Sequence, residues 1–138
     1  MTKIDFYVYS VEKQIESVAC LLAAKAYNKQ IPVYIHTNSI EQTNSVDQLL
    51  WEFKPESFIP HETIDNFNSK NPIHIGNEET INSNLKTNML INLADKTPTF
   101  FSKFIRMAEI IVPNNKVKGR LRYKFYQDRG YPLNTYKL

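Results

Sequence analysis

Lys116, Arg120, Tyr123 and Gln127 follow one another at intervals of four, three and four residues, so a helix through them would hold all four on one side. That side would be cationic, flat and hydrogen-bonding. Arginine beside tyrosine suits a carboxylate: the guanidinium can hold it bidentately while the ring shelters an apolar neighbour. The charge around these residues is local. From residue 101 to 138 there are nine basic residues, Lys103, Arg106, Lys116, Lys118, Arg120, Arg122, Lys124, Arg129 and Lys137, against only Glu109 and Asp128. Residues 1–100 hold eight basic residues against twelve acidic ones, and the formal net charge of +3 conceals the division. A basic patch implies an anionic partner, either nucleic acid or an acidic peptide. Interleaved tyrosines, Tyr123, Tyr126, Tyr131 and Tyr136, raise the case for a binding site over a merely solvated helix face.

A second surface centres on the lone tryptophan. On a helix through residues 46–53, Val46, Leu49, Leu50 and Phe53 share one face and Trp51 falls opposite, near Asp47. Trp51 is then either covered by a neighbouring loop or offered to a partner, and tryptophan is enriched among interface hot spots. Phe58, in the proline-flanked segment that follows, supplies a second aromatic ring or packs on Trp51 under the loop.

Other chemistries lack their residues. The three glycines, Gly76, Gly119 and Gly130, lie too far apart for a dinucleotide or phosphate loop. His36, His61 and His74 make no H-x-x-x-H pair, and a scattered metal site drawing on Asp65 is disfavoured against strand and loop roles. Cys20 sits in an apolar helical pattern, where it packs as a small hydrophobe. No nucleophile motif occurs, so binding is favoured over catalysis, with no cofactor. No apolar run approaches the roughly 20 residues that cross a bilayer. A cytoplasmic, reduced protein is expected, with one domain over residues 1–138.

The elements that must position these residues follow from periodicity. Ile4, Phe6 and Val8 alternate along a strand. Ser10 offers a cap for a helix carrying Val11, Ile15, Val18, Leu22 and Ala26. Strands are expected over residues 31–36, 72–75, 89–93 and 109–112, with a short extended piece at 57–59 and a polar stretch over 37–45 before the helix at 46–53. Thr97 and Pro98 resemble the cap and first residue of a helix reaching residue 108. A last helix over 114–128 stops at Gly130, with Val117, Leu121 and Phe125 as its buried stripe, and residues 131–135 fold back beside it. Alternating strands and helices indicate an α/β fold, three-layer α/β/α with a largely parallel mixed sheet, nucleotide-binding-like but without a phosphate loop.

Two strings carry a family resemblance. Val46-Asp47-Gln48-Leu49-Leu50-Trp51, followed by Pro55-Glu56-Ser57-Phe58-Ile59-Pro60-His61, resembles a signature of the chi subunit of bacterial DNA polymerase III. Arg122-Tyr123-Lys124-Phe125-Tyr126, then Gly130 and Leu133-Asn134-Thr135, is similar to that family's C-terminal signature, while Pro132 departs from it. The likeness covers nearly the whole chain, with residues 64–88 unrecognisable in detail. It implies a non-catalytic clamp-loader accessory subunit that binds the acidic C-terminal tail of single-stranded-DNA-binding protein, and the psi subunit that tethers it to the clamp loader. The tail pocket would be carried by Lys116, Arg120, Tyr123 and an Asn134–Thr135 turn, the psi-facing surface by Trp51 and Phe58. Tight nucleic-acid binding and membrane association are not expected. The alternative is a direct single-stranded nucleic-acid-binding module that stacks bases on the C-terminal tyrosines.

Overall fold

Seven short strands, all parallel, form one sheet in the order β3-β4-β2-β5-β6-β1-β7. The structure, a computed structural model, describes residues 1–52 and 71–138 in full and the backbone of 61–63. The elements are β1 (Lys3–Val8), α1 (Ile15–Asn28), β2 (Val33–His36), α2 (Ile40–Glu52), β3 (His61–Thr63), β4 (Ile73–Gly76), β5 (Met89–Asn92), β6 (Arg106–Ile111), α3 (Lys116–Asp128) and β7 (Leu133–Lys137). No antiparallel pair occurs among the described residues, so the expected mixed sheet is corrected to a parallel one. Parallel strands are covered on both faces and need apolar runs rather than strict alternation. Val33 to His36 and Ile73 to Gly76 are buried at every position.

The direction of each crossover decides its face. Connections between parallel strands are right-handed, so those running one way along the sheet lie on one face and those running back lie on the other. From β1 to β2 and from β2 to β3 the chain moves toward the β3 edge, and α1 and α2 pack together on one face over Val33, Ile35, Ile73, Ile75, Ile91 and Ile110. From β4 to β5, β5 to β6 and β6 to β7 it moves back. Leu85, Phe100, Phe101, Phe104 and Tyr126 of α3 cover Ile4, Phe6, Tyr34, Leu90 and Met107 on the other face.

Four local expectations change. Ser10 caps no helix, because the chain is still tied to the sheet there: Tyr9 N–H donates to the Ile111 carbonyl at 2.8 Å and Ser10 N–H to that of Leu138 at 3.4 Å. The helix starts at Ile15, and Val11 is exposed. The second helix starts at Ile40, not 46, since Ser39 Oγ accepts from Gln42 N–H at 3.1 Å while Gln42 Oε1 accepts from Asn38 N–H at 2.7 Å. No α-helix follows Pro98: a single 3₁₀ turn at Phe101–Lys103 leads straight into β6. The three phenylalanines enter the core there, and the Phe104 and Ile105 carbonyls accept from Thr2 Oγ1 at 2.6 Å and Lys3 N–H at 3.1 Å. The extended piece at 57–59, with Phe58, lies outside the described residues, as does the side chain of His61.

Candidate functional site

The phase of α3 is set by a buried charge. Glu109, in mid-strand β6, is fully buried on the face that α3 covers. Its Oε1 accepts from Arg122 Nε at 3.0 Å, and its Oε2 from Tyr126 Oη at 2.6 Å and Asn92 Nδ2 at 3.1 Å. Arg122 continues through Nη1 to the Asp95 carbonyl at 2.8 Å. Burial pushes the Glu109 carboxyl above its ordinary range, and the Arg122 charge and these three hydrogen bonds pull against that. Burial, then the neighbouring carboxylate, push the Tyr126 hydroxyl up.

The inward face of α3 is therefore Gly119, Arg122 and Tyr126, and the expected stripe of Val117, Leu121 and Phe125 is corrected. Val117 is 72% and Leu121 69% exposed, while Phe125 is half-buried and lines a groove with Leu121, Pro98 and Phe101. Counting apolar side chains alone misplaces the helix, because its anchor is an arginine. An acidic residue inside Met-Ala-Glu-Ile-Ile has to find a buried cation, and that was the signal available in the sequence.

With Arg122 turned toward β6, Tyr123 falls on the β1 side, where its ring meets Phe6 edge-on at 5.0 Å. At about 100° per residue, Lys116, Arg120 and Gln127 lie just beyond Tyr123, overlooking the sheet edge formed by β7. Residues 133–137 form a strand parallel to β1, not a turn beside the helix. Thr135 is level with Phe6, on the face of α3. Asn134 is level with Asp5 and points to the opposite face, where its Nδ2 donates to Asp5 Oδ1 at 3.3 Å. Lys116, Arg120, Tyr123 and Thr135 thus share one face of the sheet, and Asn134 is on the other.

Ion pairs sort the basic residues of the C-terminal segment. Arg106 is paired with Asp5, Lys118 with Asp95, Arg122 with Glu109 and Lys124 with Asp128. The Arg129 guanidinium lies 3.5 Å over the Phe125 ring. Lys103, Lys116, Arg120 and Lys137 have no such partner among the described residues. Lys137, which the family motif did not single out, is level with Val8 and so shares the face of α3, at the end of the sheet where that helix begins. Lys116, Arg120 and Lys137 are therefore on the same face of the sheet, toward its β7 side.

The tyrosines are engaged within the fold. Tyr126 is buried, Tyr131 meets Phe101 at 5.0 Å, and Tyr136 stacks on Tyr7 at 5.3 Å. Trp51 is 53% exposed near the end of α2, which packs beside β3 and β4 at the far edge of the sheet. Cys20 is buried, and that burial pushes its thiol up to about 12, as befits a core side chain. No helix among the described residues is long and apolar enough to cross a membrane, and no group of three metal-ligating side chains occurs among them.

Residues 1–134 match the family described as DNA polymerase III chi subunit, HolC. The chain is 34% identical over 142 residues to DNA polymerase III subunit chi of Pseudomonas aeruginosa, covering 100% of this chain and 98% of the relative. It is 29% identical to the Haemophilus influenzae subunit of the same name, covering 88% and 85% of the two chains. For that of Escherichia coli the identity is 27%, over 88% and 84%.

Proposed function

The chain belongs to the DNA polymerase III chi-subunit family of replication accessory subunits, and on that premise we propose that it is a non-catalytic adaptor with two separate protein-binding surfaces. One takes the acidic C-terminal tail of single-stranded-DNA-binding protein; the other takes the psi subunit and so joins the clamp loader. The observation that carries the first is the convergence of Lys116, Arg120 and Lys137, unpaired among the described residues, over the β7 edge beside Tyr123. Arg120 grips the terminal carboxylate, Lys116 attracts the acidic stretch, and Tyr123, fixed against Phe6, walls the apolar end. Trp51 carries the second surface, with Phe58 assigned to it from the motif alone. Because α2 and α3 lie on opposite faces and toward opposite edges of the sheet, the two partners do not compete.

The rival, stacking of single-stranded nucleic acid, needs free aromatic faces; Tyr123 and Tyr131 are packed against Phe6 and Phe101 and Tyr126 is buried, which leaves it Tyr136, 44% exposed and stacked on Tyr7. Calorimetry with a tail peptide tests the proposal. Arg120→Ala should weaken it at least tenfold, about 1.4 kcal/mol. Arg120→Lys should recover only part of that loss, because lysine lacks the guanidinium fork. Amidating the peptide's terminus should cost wild type much and Arg120→Ala little more. Equal losses on amidation in both proteins would remove Arg120 from the carboxylate. Tight oligonucleotide binding with a steep salt slope would favour the rival.

A further inference from the structure

The strand beneath those cations has one side in use. Among the described residues, β7 pairs only with β1. Ile4 N–H donates to the Pro132 carbonyl at 3.0 Å, Leu138 N–H to the Val8 carbonyl at 2.8 Å and Ser10 N–H to the Leu138 carbonyl at 3.4 Å. In a parallel ladder alternate residues turn their backbone groups to the same neighbour. Pro132, Asn134, Tyr136 and Leu138 therefore turn theirs to β1. Leu133, Thr135 and Lys137 turn their N–H and carbonyl groups outward, where no partner occurs among the described residues. Such an edge is a template for another strand. Thr135 and Tyr136 also have the residue types that favour extended backbone.

We propose that an acidic peptide binds this edge as an added strand, its main chain hydrogen-bonded to Leu133, Thr135 and Lys137. The proposal rests on the tail-binding reading above and specifies how the tail is held. Charge selects the occupant. Lys116 and Arg120 on α3 and Lys137 on β7 flank the edge, so an acidic chain is drawn in, whereas a second copy of β7 would bring the same cations against themselves. Main-chain bonds would supply affinity that tolerates variation in the acidic residues, while Arg120 and Tyr123 would read the terminal carboxylate and the apolar end.

Two perturbations reach the backbone. In the first, a synthetic acidic peptide with an apolar last residue and a free carboxylate is N-methylated at one position at a time and titrated against the wild-type protein. Loss should recur with a period of two, at least tenfold where the peptide N–H faces β7 and less than about threefold at the alternate positions. In the second, Thr135→Pro removes an outward N–H and leaves the β1 ladder intact, since proline is tolerated on that side of an edge strand. It should weaken the unmodified peptide at least tenfold more than Thr135→Ala does, because the alanine variant loses the same side chain but keeps the outward N–H.

If the wild type binds the peptide and Arg120→Ala weakens it, yet N-methylation is tolerated throughout, the tail site stands and the added strand falls. If the unmodified peptide does not bind the wild type at all, both fall. Should Thr135→Pro fail to fold, the N-methyl series on the wild type decides alone. Sedimentation showing a wild-type dimer that Thr135→Pro abolishes would give the edge to a second copy and overturn the proposal.

Discussion

Arg120 and Arg122 are two residues apart on one helix and should fail in opposite ways. Arg122 is 6% exposed and its partner Glu109 is fully buried. Replacing Arg122 by methionine keeps most of the side-chain volume and leaves a carboxylate inside with only Tyr126 and Asn92 as donors. Removing one member of a buried pair typically costs about 3–5 kcal/mol, because the remaining charge is uncompensated. For a chain of this size that corresponds to a fall in Tm of roughly 10–20 °C. Arg122→Met paired with Glu109→Leu should regain much of the loss, since an apolar replacement of the whole pair is often close to neutral. Urea titrations on the four proteins of that cycle give the coupling, expected at about 2 kcal/mol or more. Arg120→Ala, by contrast, should leave the urea midpoint within about 0.5 kcal/mol of wild type while losing the peptide. A coupling below about 0.5 kcal/mol would refute the claim that this pair sets the phase of α3.

Trp51→Ala should leave stability within about 1 kcal/mol and weaken the clamp-loader partner by about 2 kcal/mol or more; early melting of the isolated variant would place Trp51 in the core. Leu121→Lys should be neutral within about 0.5 kcal/mol, because Leu121 is 69% exposed, and a large loss in urea titration would restore the apolar stripe read from spacing. His36 is buried against Phe100, and that burial lowers its pKa to about 4 from 6.5. The unfolded chain therefore takes up a proton that the native state refuses. The stability contribution is intact above about pH 6.5 and is lost as pH falls toward 4, by about 3 kcal/mol in all. Urea midpoints against pH should show this slope in wild type and lack it in His36→Gln.

Strands β1, β2, β4, β5 and β6 were legible because parallel strands are covered on both faces, and Met89-Leu90-Ile91 stands out as a short apolar run, whereas β3 and β7 were not read as strands. Element starts were less legible. Ser10 looks like a cap until the distant carbonyls of Ile111 and Leu138 hold its neighbourhood in the sheet, and that tie is tertiary. The Ser39-x-x-Gln42 spacing was a local signal for the start of α2, masked by the polarity of the stretch around it. Thr97-Pro98 has the chemistry of a helix start, yet burial of Phe100, Phe101 and Phe104 prevails over local propensity. At the candidate site, Lys116, Arg120 and Tyr123 could be grouped by helical spacing alone. Asn134 and Thr135 could not be apportioned between the faces until the segment was known to be a strand, where neighbours point opposite ways.

The order of the strands has a bearing on how the protein comes into being. β1 is made first, yet both of its neighbours, β6 and β7, belong to the last third of the chain, with Ile4 level with Met107 and Leu133. At about 5–20 residues per second, the first strand waits on the order of ten seconds for its final partner to leave the ribosome. Until then the Phe6 edge has nothing beside it and the cations of α3 have no strand to overlook. A nascent or prematurely terminated chain therefore cannot display the β7 surface, and engagement of that surface reports that translation has run through residue 137.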